Sequence, residues 1–120
     1  MSDFLKHLQM VEEAVKGATK GFMAKFDSMT FKMTIGGLKS EDPTAVMIAI
    51  EQLAKEKRDI SIPPLYVVSK AHPLPTVRAK ADEALKGLDE DNEIPELTKE
   101  KEVKEAVNAL VARFGNFKKM

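Results

Sequence analysis

Across residues 39–88 the apolar positions recur at spacings of three and four and are interrupted twice by prolines. That spacing puts the apolar side chains on one face of a helix. Ser40 and Asp42 stand just before Pro43. They offer a side-chain acceptor ahead of a proline in the first turn, where a missing N–H costs nothing. Val46, Ile50, Leu53 and Ala54 then form the buried face, and the charged run 55–59 closes the helix. Ser61 is placed to cap a second helix that opens with Pro63-Pro64 and carries Leu65, Val68, Ala71 and His72 along one side. A proline pair is tolerated in a first turn and destructive further in, which sets this boundary. His72-Pro73-Leu74-Pro75 forbids continuation, since a residue before proline is pushed out of the helical region. A third helix starts at Pro75 and buries Val77, Ala81, Ala84, Leu85 and Leu88, with Gly87 as its C-terminal stop.

The flanks carry weaker patterns. Phe4, Leu8, Val11, Val15 and Ala18 make the stripe of an amphipathic first helix, ending near Gly17 and Gly21. In the next segment Met29, Phe31, Met33 and Ile35 alternate as in a strand, whereas Phe22, Phe26, Met29 and Met33 fit a helix. A lone strand would have no partner elsewhere in the chain, so 28–38 is read as helix ended by Gly36-Gly37. Residues 89–97 are a charge run read as a solvated loop. Residues 98–114 are read as a last helix, capped by Thr98, with Val103, Ala106, Val107, Leu110, Val111 and Phe114 inside. The whole chain is expected to be all-α.

Overlaying the first and third central helices exposes an internal period. Pro43-Thr44 matches Pro75-Thr76 at a separation of 32, and Val46, Ile50 and Ala54 match Val77, Ala81 and Leu85 at 31. A period of that size in helical pairs suggests a solenoid. On Asp42, Pro43, Val46, Ile50, Leu53, Ala54, Pro64, Leu65, Val68, Pro75, Val77, Arg78, Ala81, Ala84 and Leu85 the stretch resembles HEAT repeats of the short bacterial and archaeal, lyase-type kind. Val77-Arg78 is the most specific element, and the first unit departs from it with Met47 where the arginine would sit. The resemblance implies a short right-handed α-solenoid of about five to six helices in one domain. Residues 1–38 would be a degenerate N-terminal capping unit, 39–88 the core repeats, 89–97 the acidic loop and 98–114 the C-terminal cap.

Composition narrows the function. In 120 residues there are 19 basic and 19 acidic side chains and no cysteine. Zero net charge weighs against nucleic acid or an anionic membrane as partner, both of which need a cationic excess. The absence of cysteine removes thiolate chemistry, disulfides and cysteine metal sites. No signal-like h-region opens the chain, so a cytoplasmic address is expected. His7 and His72 lack acidic neighbours at ligand spacing, and no His-Glu dipeptide of the kind found in HEAT-like di-iron enzymes occurs. Asp89, Asp91, Glu93 and Glu100 fall at positions of a calcium loop, but Ile94 occupies the site of its obligatory glycine. No catalytic residue, metal or cofactor is expected.

What remains is a protein-binding adaptor, with another protein as partner and a homodimer left open. In HEAT-like solenoids the second helix of each unit lines the concave face, which implies Tyr66 and Lys70 as contacts. Arg78 is a third candidate, although the family's equivalent arginine bonds to the neighbouring turn. Phe22, Met23 and Phe26 in the Met/Phe-rich N-terminal unit are a second candidate surface, since such residues make adaptable interfaces. The resemblance also carries two alternatives: an accessory subunit or enzyme akin to HEAT-like chromophore lyases, and a binder akin to HEAT-like DNA glycosylases.

Overall fold

Helix α4 (Ile62–Ala71) runs through the middle of the molecule, and every residue from Ile62 to Val68 is buried. A helix that is apolar all round has to be covered all round. In this computed structural model, which describes residues 4–11 and 35–114, α5 (Pro75–Leu88) packs along one side of it and α7 (Val103–Phe114) along another. The 3₁₀ turn Asp59–Ser61 lies at its start. Helix α3 (Pro43–Glu56) packs on α5, and the short α6 (Ile94–Thr98) packs on α7. Two further helical stretches, α1 (4–11) and α2 (35–38), bring Phe4, Leu8, Val11, Ile35 and Leu38 into the same core. The described residues thus hold seven helical segments and no strand. None of these helices is long and apolar enough to cross a membrane.

The helix starts follow local chemistry. Ser40 Oγ accepts from the Asp42 N–H at 3.1 Å, and Asp42 Oδ1 accepts from the Thr44 N–H at 2.9 Å. The second bond satisfies one donor that a helix start leaves open. Pro43 follows as the first residue of α3, and Pro75 holds the same place in α5. Helix α3 ends on Lys57 in a left-handed conformation (φ 51°), whose N–H reaches Leu53 O at 3.2 Å. Helices α3 and α5 are each 14 residues long and are tied by Lys80 to Glu51 at 3.1 Å. That pair is largely exposed, and its contribution is below about 1 kcal/mol.

Several boundaries differ from the sequence reading. Gly36-Gly37 does not end the helix; the turn continues to Leu38, with Lys39 N–H bonded to Ile35 O at 3.0 Å. Gly37 is there because α2 and α3 touch, and a Cβ on it would sit 3.2 Å from the Ala49 Cβ. Residue 35 onward is helical rather than extended, while 28–34 lies outside the described residues. Ser61 makes no side-chain cap; it is the buried last residue of the 3₁₀ turn. Gly87 lies inside α5, which closes at Asp89. The region read as loop, 89–97, contains most of α6, and the last helix starts at Val103 instead of 98. Thr98 is the last residue of α6, its hydroxyl donating to Ile94 O at 2.8 Å, so it does not cap α7.

Candidate functional site

Helices α4, α5 and α6 meet around a cleft of about 330 Å³. Its walls follow from helical spacing: Ser69 and Lys70 lie one turn beyond Tyr66 on α4, and Leu85 and Lys86 lie one turn beyond Asp82 on α5, with Asp89 at the close of that helix. Ile94, Pro95 and Thr98 close the third side. The apolar part is Tyr66, Leu85, Ile94 and Pro95. Tyr66 itself is only 6% exposed, which makes it a wall of the cleft more than a surface contact. Burial raises its phenol pKa above the usual value, with the nearby Thr98 hydroxyl offsetting part of that. The Lys70 ammonium lies over the Tyr66 ring, 5.7 Å from its centroid.

Most polar groups of the cleft are committed to the fold. Ser69 Oγ donates to Tyr66 O at 2.7 Å. Asp89 accepts from the Glu93 N–H at 2.8 Å through one oxygen and from the Ile94 N–H at 3.0 Å through the other. The same residue closes α5, its N–H bonding Leu85 O at 2.9 Å. One aspartate therefore ends one helix and starts the next. Glu93 is held from the far side by a two-pronged bond to Arg113 of α7, Nε and Nη2 each at 3.0 Å. Such planar pairing is the strong form of ion pair, and it fixes how α6 sits.

The candidate contacts separate. Tyr66 and Lys70 are brought together in the cleft. Arg78 lies elsewhere, half-buried, with Nη1 donating to the His72 carbonyl at 2.7 Å. Phe22, Met23 and Phe26 lie outside the described residues. The sequence reading missed Asp89, Ile94 and Pro95. The available signal was Ile94-Pro95 with Leu97 inside the charge run: an apolar pair and a proline placed as at a helix start.

The C-terminal end of α4 holds His72, 6% exposed and the residue on which the helix closes. Its Nδ1 accepts from the Leu74 N–H at 3.1 Å, so a neutral ring carries its proton on Nε2. The Phe4 ring of α1 meets it edge-on at 5.0 Å and 75°. Burial, then the Arg78 cation, hold its pKa below the usual 6.5. A folded-state pKa below the unfolded one means that the unfolded chain binds the proton first. His72 therefore contributes stability that is present above pH 6.5 and is lost as pH falls through the folded-state value. The urea midpoint is expected to drop between pH 7.5 and more acidic buffers, and to drop less in His72→Gln. An equal drop in both proteins would assign the effect to other groups.

Among the described residues no three His, Asp or Glu side chains gather as metal ligands. No family model, curated protein or solved structure matches the chain.

Proposed function

We propose that this chain is a non-enzymatic protein-interaction module that takes a short segment of a partner protein in the cleft between α4, α5 and α6. The observation that carries this reading is the cleft itself, a concave apolar surface built from three helices with a lysine at its mouth. Binding sites have that character: mostly apolar walls and a few placed polar groups. Its volume suits two or three side chains, not a whole folded surface. Catalysis would ask for a nucleophile within reach of a base. Here the Ser69 hydroxyl is turned onto a carbonyl and the Asp89 carboxylate onto two backbone N–H groups.

The scaffold reading is a HEAT-like one, with α3 and α5 as equivalent first helices of successive units in a right-handed solenoid. Three features support it: Pro43 and Pro75 at matching first positions, the packing of α3 on α5, and the bond from Arg78 to the turn that precedes its helix. In that scheme α4 is a second helix, the one expected to present contacts, with Lys70 above the Tyr66 wall as the group that would make them.

A photo-crosslinking residue placed at position 70 is expected to capture one stoichiometric protein from host lysate, whereas the same residue at Glu105, exposed on α7, does not. Ser69→Arg, which fills the cleft from α4, should lower that capture at least ~10-fold, or ~1.4 kcal/mol, with helical circular dichroism unchanged. Capture from position 105 alone, or capture indifferent to Ser69→Arg, would remove the cleft from the function.

A further inference from the structure

We infer that the segment this cleft takes is acidic and apolar together: an Asp or Glu carboxylate bound by Lys70, next to an apolar side chain laid on Tyr66, Leu85 and Ile94. This rests on the cleft being the partner site. What the cleft's polar groups still have to offer decides which ligand it suits. Its two carboxylates are occupied. Asp89 accepts two backbone N–H bonds, and Asp82 pairs with Lys86 at 3.3 Å. The hydroxyls of Ser69 and Thr98 donate to carbonyls within their own helices. Lys70 differs. Among the described residues its one recorded interaction is the Tyr66 ring, and no carboxylate answers its charge. Lys86 and Asp82, 79% and 52% exposed, answer each other and together add no net charge to the cleft. The one charge left unanswered in the cleft is thus the Lys70 cation, above an apolar floor and beside the neutral amide of Asn92, and the complementary ligand is an anion carried beside an apolar group.

The Tyr66 ring strengthens the case. A free lysine loses much rotamer freedom on gripping a ligand. Holding its ammonium over an aromatic face keeps Lys70 at the cleft mouth beforehand. The ring cannot neutralise that charge as a carboxylate would, so the ammonium stays available to an incoming one.

The test is to pan a library of random displayed hexapeptides on the full chain, at low and physiological salt. Selected peptides are then mapped by amide shifts on labelled protein and by loss of binding to Ser69→Arg. Cleft-binding peptides should carry Asp or Glu beside Leu, Ile, Val or Phe. Their affinity should fall at least ~10-fold when that acid becomes its amide, and as much in Lys70→Met. Lys104→Met on α7 should leave it unchanged. Peptides that occupy the cleft without an acid, or acidic ones indifferent to Lys70→Met, would overturn the inference while leaving the cleft as a partner site. If no selected peptide occupies the cleft, both fail.

Discussion

Leu65→Ala is expected to lower the free energy of unfolding by about 3 kcal/mol. Leu65 has no exposed surface and stands midway along α4, the helix that α5 and α7 both pack against. Removing its branched end forfeits the transfer of those carbons from water and leaves a void that three helices cannot all close. Domains of this size are stable by only ~5–15 kcal/mol, so the variant should show an early urea midpoint with an unchanged denaturant slope. Leu74→Ala is the comparison, because Leu74 is 37% exposed in the turn between α4 and α5. It should change stability by less than about 0.5 kcal/mol. If the two losses were alike, α4 would not be the covered centre of the molecule.

Asp89→Ala is expected to cost about 2 kcal/mol, the scale of a lost charged acceptor with its donors left unanswered, and to act first on α6. Both of its oxygens hold the start of that helix, which has only five residues and no stability of its own. The loosened α6 would take Ile94, Pro95 and Thr98 away from Tyr66. The chain has one tyrosine and no tryptophan, so its ultraviolet emission reports this one wall of the cleft. Acrylamide should quench Tyr66 more strongly in Asp89→Ala than in the parent, at urea concentrations where circular dichroism is unchanged. Asp89→Asn, which keeps one acceptor oxygen, should fall between them. Quenching that rises only with global unfolding would mean that α6 does not depend on Asp89.

These two residues also mark what could be read from the chain and what could not. The starts of α3 and α5 were legible because their signals are local: a capping aspartate at Asp42, prolines at Pro43 and Pro75, and a face repeating every three or four residues. Helix α6 was not, since five residues give less than two turns and no period to recognise. Asp89 looked like one more solvated acid in a charge run; only the fold shows it receiving two N–H groups. The cleft was half legible. Tyr66 and Lys70 were placed together by their spacing of four, but the burial of Tyr66 depends on Ile94 and Thr98, far along the chain. The full covering of α4 had a sequence signal in the unbroken apolar run Leu65-Tyr66-Val67-Val68, which a one-sided reading of that helix undervalues.

The prolines at the start of α4 have a further consequence for how substitutions there behave. A helix ordinarily leaves its first four N–H groups without internal acceptors, which is harmless at a wet surface and costly inside a core. Here that first turn is buried. Of the four positions, the Ser61 N–H is taken by Arg58 O at 3.0 Å, and Pro63 and Pro64 have no N–H at all. Proline serves this helix by deletion: it brings no N–H into the buried turn. On propensity tables alanine is the better helix former by a wide margin. At Pro63 and Pro64 that margin is expected to shrink, because each alanine would bring into a buried turn a polar hydrogen that must then find an acceptor.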